Sequence, residues 1–260
     1  IHSGQFLNLL HRHTHSHGAP AQDQVAVARP GSITYPAAIF PLLTGLLPIL
    51  AINGIYLVAA LQGHVPWCMP YWDSCSSISA TGRSGAGFYL FKGLMIPAAV
   101  LLAINWLVCR AWIAARFDAL RPRDNWMLAA GVVAAVCLVL YVVALGAAGD
   151  AMRLQRRIGV ILYFTLTYLA QLLLASRLRN AAEPHDTDPL VSWQLRLAGL
   201  ILAIGLLTLA LDLTLPNYDD YEDAFEWIIA LLVHVNFLLM AKHMARTGFV
   251  LRFEAHDGRQ

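Results

Sequence analysis

Five ionisable side chains near the ends of apolar segments are the residues in this sequence best placed for chemistry. They lie at about the same predicted depth in a membrane, and they are Lys92, Arg156, Arg157, Asp212 and Glu226. Charged side chains in hydrocarbon are costly, so they face a bundle interior or pair with one another. Two interpretations follow: salt bridges that hold helices together, or a pocket in which arginines bind a phosphate-bearing head group. In either case we expect Glu226 to pair with Arg156 or Arg157.

Long apolar segments must position these residues. A helix of about 20 apolar residues crosses the roughly 30 Å hydrocarbon core of a bilayer. The sequence predicts such spans near 36–62, 87–112, 127–148, 158–178, 194–215 and 224–245. Charged residues make up 13% of the chain, against about 25% in soluble domains. The predicted fold class is therefore all-α, a polytopic transmembrane bundle of about six helices.

Several function classes are excluded by what the sequence lacks. A net charge of +2 without a basic, aromatic-interleaved stripe argues against nucleic acid as a partner. The sequence contains no phosphate-binding glycine loop, zinc-protease motif or nucleophile-elbow motif. His234 is the one histidine clearly inside a predicted span, so a bis-histidine haem site is not expected. We expect no cofactor.

The basic residues predict the orientation of the chain. Lysines and arginines concentrate in cytoplasmic loops. Thirteen of the 18 fall on the side of both termini, and the other five are Arg83, Lys92, Arg153, Arg156 and Arg157. Both termini are therefore expected in the cytoplasm. The five candidate residues then lie near the opposite, non-cytoplasmic face.

Two of the four cysteines fall in the first non-cytoplasmic loop. Cys68 and Cys75 would face an oxidising compartment there, where disulfides persist. Their spacing is not the C-x-x-C of thiol-exchange enzymes, so we expect a structural disulfide.

The ends of the chain are polar. We predict a mobile cytoplasmic arm at 1–35, a six-span domain at 36–246 and a cytoplasmic tail at 247–260. The arm carries alternating histidines that are weak candidates for a metal site, namely His11, His13, His15 and His17. A solvated arm without bound metal is the preferred interpretation.

Two short motifs resemble a known family. The run Cys75-Ser-Ser-Ile-Ser79-Ala-Thr-Gly82 resembles the P-x-I-S-x-x-G signature of the FRAG/DRAM/SFK-type membrane proteins. That family includes the post-GPI-attachment lipid remodelling factor and the damage-regulated autophagy modulators. Ala224-Phe225-Glu226-Trp227 is similar to the family's Glu-Trp at the start of the sixth span. Six spans and a long first outer loop match its layout.

The resemblance implies site residues on the outer face. Ser79, Gly82 and Glu226 occupy signature positions, and Arg83 follows directly. Two positions depart from the family pattern: its proline before Ile-Ser is a serine here, and its histidine in the fourth span is replaced by Arg156. Any chemistry of that histidine does not transfer.

These observations predict a protein that binds, presents or remodels a lipid at the non-cytoplasmic leaflet. An enzymatic version would use Glu226 or Asp212 as base for lipid acyl transfer or hydrolysis, with Arg156 or Arg157 stabilising the developing charge. No nucleophile with a base at fixed spacing is evident, so a non-enzymatic role is preferred. The alternative is an accessory subunit of a larger membrane complex, with other membrane subunits as partners. A small-molecule transporter is the weaker alternative. Abundant alanine, leucine and arginine favour a bacterial inner membrane.

Overall fold

A computed structural model describes residues 32–117, 119–180 and 188–254 of the chain. Contacts group residues 34–251 into one compact unit. The predicted histidine arm, including His11, His13, His15 and His17, lies outside the described residues. All the long helices belong to the unit at 34–251.

Within the described residues, six helices are long and apolar enough to cross a membrane. They are α1 Ile39–Leu61, α4 Gly85–Arg116, α5 Pro122–Ala144, α6 Asp150–Arg179, α7 Pro189–Thr214 and α8 Asp219–Arg246. Each contains the core of one predicted span. The all-α, six-span fold class is confirmed.

Short elements complete the described part. They are β1 Ser32–Pro36, α2 Pro70–Asp73, α3 Ile78–Thr81 and β2 Val250–Glu254, with β1 and β2 paired in a two-stranded sheet. The sheet differs from the purely helical prediction. It falls in segments assigned to an arm and a tail, because five-residue strands leave no hydropathy signal.

The helix starts follow from local sequence. Pro122 and Pro189 occupy the first turns of α5 and α7, where a missing N–H costs nothing. Asp188 caps α7 by accepting a hydrogen bond from the Leu190 N–H at 2.8 Å. Ser77 caps α3 by accepting one from the Ala80 N–H at 3.1 Å. This cap fixes the direction of the outer loop.

Small residues allow the helices of the bundle to pack closely. A Cβ on Gly131 would overlap the ring of Trp106, which is fully buried. A Cβ on Gly159 would lie 3.0 Å from the backbone nitrogen of Tyr141 and 3.1 Å from the Cys137 carbonyl oxygen. Glycine at these positions brings α5 against α4 and α6, as small residues do in membrane bundles.

A buried ion pair joins α5 and α6 at the end predicted to be cytoplasmic. The Arg177 Nε lies 3.3 Å from Asp124 Oδ1, and their side chains are 7% and 1% exposed. The guanidinium also donates to the Ala119 carbonyl and stacks over Phe117. Asp124 accepts a hydrogen bond from the Arg121 N–H at 2.7 Å. The sequence analysis counted Arg177 only as a positive charge.

The loop between α1 and α4 is tied to both α1 and α8. Cys68 and Cys75 form the expected disulfide, with Cα atoms 6.6 Å apart. The Tyr56 hydroxyl of α1 donates to the Cys68 carbonyl at 2.7 Å. The Trp227 indole of α8 donates to the Ser76 carbonyl at 2.8 Å. These bonds hold α3 beside the start of α8.

Candidate functional site

A cleft of 1120 Å³ opens among α6, α7, α8 and the α3–α4 turn. The charged part of its lining consists of four arginines and four carboxylates, namely Arg83, Arg153, Arg156, Arg157, Asp212, Glu222, Asp223 and Glu226. The hydroxyls of Ser77, Ser79, Thr165 and Thr208 also line it. The cleft thus contains charge of both signs within helices that span a membrane.

The arginines come mainly from the first two turns of α6. Arg153, Arg156 and Arg157 belong to this helix, which begins at Asp150. Arg153 also lies 3.3 Å from the exposed Asp150. Arg83 donates from Nη2 to the Ser79 hydroxyl at 2.6 Å, and Ser79 lies 3.2 Å from the Ser77 hydroxyl. The α3 serines therefore orient one of the four cations.

The carboxylates come from α7 and α8, whereas the arginines come from α6 and the α3–α4 turn. Asp212 lies near the end of α7, and Glu222, Asp223 and Glu226 lie in the first two turns of α8. Across the described residues, no ion pair within 4.0 Å joins any of these carboxylates to an arginine of the cleft. Since both sets line one cavity, their charges are available to a bound group.

The cleft continues into an apolar section. Val160, Ile161 and Phe164 line it from α6, Leu209 from α7 and Ile229 from α8. At 1.5 Å per residue, the distance along α6 from Arg153 to Phe164 is about 16 Å. The lining therefore changes from charged to apolar along the helix axis.

A small cavity of about 20 Å³ adjoins the cleft. Glu226 and Tyr141 line both spaces, and His234 lines the small one. His234 Nε2 lies 3.2 Å from the Tyr163 hydroxyl, and its Nδ1 lies 2.6 Å from the Ala230 carbonyl oxygen. The Tyr141 hydroxyl has no hydrogen-bond partner among the described residues. About 10–15 Å³ suffices for one water, so this cavity can hydrate Tyr141.

Six of the eight residues proposed from the sequence line the cleft. They are Ser79, Arg83, Arg156, Arg157, Asp212 and Glu226. Gly82 does not line the cleft, because it packs against other side chains. A Cβ added to Gly82 would lie 2.6 Å from Phe91 and 2.8 Å from Leu145. Lys92 does not line the cleft either, since its ammonium sits 4.0 Å from the centre of the Phe88 ring. Helical side chains lean toward the N-terminus, which directs Lys92 onto the preceding turn.

The expected contact between Glu226 and an α6 arginine is not formed. Glu226 shares the cleft with Arg156 and Arg157 but pairs with neither within 4.0 Å in the described structure. Its carboxylate lies near the Ile78 backbone N–H at the start of α3.

Sequence reasoning missed eight polar lining residues, which are Ser77, Tyr141, Arg153, Thr165, Thr208, Tyr218, Glu222 and Asp223. A helical signal was present for several of them. Tyr218, Glu222 and Glu226 are four residues apart, and so are Arg153 and Arg157. Residues at this spacing share a helix face. The signal was overlooked because α6 and α8 begin before the apolar windows.

No group of three or more histidines, cysteines or carboxylates that could hold a metal occurs in the described parts of the chain. The cleft carboxylates share the cavity with four arginines, which compete with a cation. The geometry therefore suits an organic ionic group.

A comparison with protein families gives one match. The family model described as Frag1/DRAM/Sfk1/Cwh43P N-terminal domain matches residues 36–243. The match covers five spanning helices and all but the last three residues of α8. No curated protein matches the chain. No solved structure matches it either.

Proposed function

The chain belongs to the Frag1/DRAM/Sfk1/Cwh43 family of multi-span membrane proteins, and we propose that it binds the phosphate-bearing head group of a membrane lipid. The head group would occupy the charged section of the cleft. An acyl chain would follow the apolar section between α6 and α7. Membrane lipid is thus the proposed partner.

One observation carries the proposal: seven of the eight charged side chains that line the cleft, all except Arg153, have no ion-pair partner in the described structure, and the same cleft has an apolar wall. Arginine forks match phosphate geometry, and Arg156 and Arg157 are adjacent on α6. The apolar section of the cleft runs about 6 Å along α6, from Val160 to Phe164, and accommodates the first part of an acyl chain. A soluble anion would gain nothing from that section.

The proposed leaflet follows from the predicted orientation. The first turns of α6 and α8 lie at the membrane face opposite the concentration of basic residues. The head group would therefore belong to the non-cytoplasmic leaflet. The composition supports a bacterial inner membrane as the location, although this family is known mainly from eukaryotes.

Binding is favoured over catalysis. The hydroxyls of Ser77 and Ser79 bond to each other, and Ser79 also accepts a hydrogen bond from Arg83. Among the described residues, neither serine hydroxyl is hydrogen-bonded to a carboxylate or a histidine that could act as its base. Presentation of a lipid needs no such base.

The test compares Arg156→Gln/Arg157→Gln with Arg179→Gln. Arg179 lies at the far end of the same helix, is exposed and does not line the cleft, so it is the matched control. Native mass spectrometry of purified protein titrated with phospholipid measures the affinity. Losing two charged hydrogen-bond donors should weaken binding by about tenfold or more. Equal affinity in the wild-type protein and in both variants would overturn the proposal.

An accessory subunit remains the second proposal, and α7 favours it. Only 11% of the apolar window of α7 is buried, against 39–50% in the other spanning helices. In this role another subunit covers the exposed apolar face of α7. A protein that copurifies in fixed ratio, and is lost when Leu206 and Leu213 on α7 become alanine, would support this role.

A further inference from the structure

We infer that the bound head group is zwitterionic, with a phosphate held by the α6 arginines and a primary ammonium held by the carboxylates of α7 and α8. This inference rests on the proposed function and specifies the class of lipid. Phosphoethanolamine is the head-group chemistry that it describes.

The charge balance of the cleft is the first argument. Four arginines and four carboxylates line it, so the formal charges of the lining sum to zero. An anionic head group would satisfy the arginines and leave four carboxylates repelling it. A cationic group would leave the arginines unpaired in the same way. Only a ligand carrying both signs complements the whole lining.

The arrangement of the charges is the second argument. The cations lie on α6 and the α3–α4 turn, whereas the anions lie on α7 and α8. In the described structure the two sets form no ion pairs with each other within 4.0 Å. Opposite charges kept apart around a cavity suit a ligand whose own charges are separated. Phosphate and ammonium in phosphoethanolamine are separated by a two-carbon linker.

The third argument distinguishes a primary ammonium from a quaternary one. A primary ammonium has three N–H donors, which carboxylates accept. A quaternary ammonium has none and is recognised by aromatic cages. Asp212 and Glu222 are exposed to the cleft, whereas Tyr218 is only 8% exposed. Hydrogen-bond acceptors, rather than aromatic rings, therefore dominate the side of the cleft formed by α7 and α8.

The experiment titrates the purified protein with phospholipids that have identical acyl chains and differ in head group. The head groups are phosphoethanolamine, phosphocholine and phosphoglycerol, and bound lipid is counted by native mass spectrometry. We expect phosphoethanolamine lipid to bind about tenfold more tightly than the other two, corresponding to about 1.4 kcal/mol. Equal or tighter binding of the phosphoglycerol or phosphocholine lipid overturns this inference and leaves the proposed function standing. Failure of all three to bind overturns both.

Competition by a soluble head group distinguishes a lipid from a free metabolite as the ligand. Glycerophosphoethanolamine carries the same head group without chains, so it should compete only at concentrations at least about a hundredfold higher, because about 0.8 kcal/mol per buried methylene is lost. Competition at equal concentration would assign the cleft to a soluble ligand and overturn the lipid proposal.

A variant arm tests the carboxylates. Asp212→Asn/Glu222→Gln changes two exposed side chains of the cleft without altering packing. We expect the preference for phosphoethanolamine over phosphoglycerol to fall from about tenfold to near unity. Asp220→Asn is the matched control, since Asp220 is exposed at the start of α8 and does not line the cleft. An unchanged preference in the double variant would overturn the inference.

Discussion

Asp124 and Glu226 show how differently acidic side chains are used at the two ends of the bundle. Asp124 is 1% exposed and lies 3.3 Å from Arg177, so its charge is compensated inside the protein. Glu226 faces a cleft and has no ion-pair partner within 4.0 Å among the described residues. The first arrangement stabilises the fold, and the second leaves charge available for a ligand.

Removal of Asp124 should destabilise the protein strongly. Asp124→Ala leaves the Arg177 guanidinium buried without its partner, which typically costs about 3–5 kcal/mol. It also removes the acceptor for the Arg121 N–H at the start of α5. Thermal unfolding in detergent measures the loss, with the exposed Arg123→Ala as control. A midpoint shift no larger than that of the control would contradict the assigned role.

Glu226→Gln, in contrast, should change stability little. A Glu226–Arg156 ion pair would predict a loss of about 3–5 kcal/mol, but the described structure contains no such pair. The amide oxygen can still face the Ile78 N–H, so we expect a change below about 1 kcal/mol. Thermal unfolding in detergent, with Glu222→Gln as the control, measures this change in stability. A loss near 3 kcal/mol would show that Glu226 is paired after all.

The long helices were predictable because each is apolar over a whole bilayer thickness. The ends of these helices could not be predicted from hydropathy, and α6 illustrates the reason. The predicted span began at 158, whereas the helix begins at Asp150. Arginine is a good helix former but lowers mean hydropathy, so an apolar window stops before Arg156 and Arg157. The sequence analysis therefore placed Arg156 and Arg157 outside the predicted span, although they lie on the cleft face of α6.

The buried pair and the short elements gave no sequence signal. Asp124 and Arg177 are far apart in sequence, and no spacing rule connects them. The four-residue helices α2 and α3 are fixed by the disulfide, by the Ser77 cap and by the Trp227 bond to Ser76. Five of the six cleft residues foreseen are charged residues near span ends, where charge itself was the signal, and the sixth, Ser79, came from the family resemblance. Gly82 and Lys92 were misplaced because side-chain direction depends on packing.

Close packing of α4 and α5 yields a prediction at the element scale. Gly131→Ala puts a methyl group against the buried Trp106 ring, and overpacking of this kind costs typically about 1–3 kcal/mol. Gly93→Ala is the matched control, because an added Cβ there meets nothing within 4 Å. Ala is a better helix former than Gly, so the control should be neutral or stabilising. Equal unfolding midpoints for the two variants would contradict this packing.

The charge distribution of the whole molecule predicts its orientation. Thirteen of 18 basic residues lie on the side of both termini, while the cleft arginines lie on the other. Four of the five exceptions are in or beside the cleft. In the proposed binding site these four arginines serve the ligand, so the exceptions do not change the orientation that the positive-inside rule predicts.

Single introduced cysteines test this orientation in intact cells. Asn217 precedes α8 and Arg179 ends α6, and both are exposed. The two free native cysteines, Cys109 and Cys137, are buried, so background labelling should be low. An impermeant maleimide should label Asn217→Cys and leave Arg179→Cys unlabelled until the cells are permeabilised. The reverse pattern would place the cleft at the cytoplasmic leaflet.

Lipid occupancy of the cleft is the central claim, and photo-crosslinking in membranes tests it most directly. A phospholipid with a diazirine close to its phosphate is added to vesicles that contain the protein, and crosslinked peptides are mapped by mass spectrometry. We expect crosslinks to concentrate on the cleft faces of α6 and α8, between 153 and 165 and between 218 and 229. They should fall sharply in Arg156→Gln/Arg157→Gln and persist in Arg179→Gln. Crosslinks spread evenly over all the spanning helices, and unchanged by the arginine substitutions, would contradict the account.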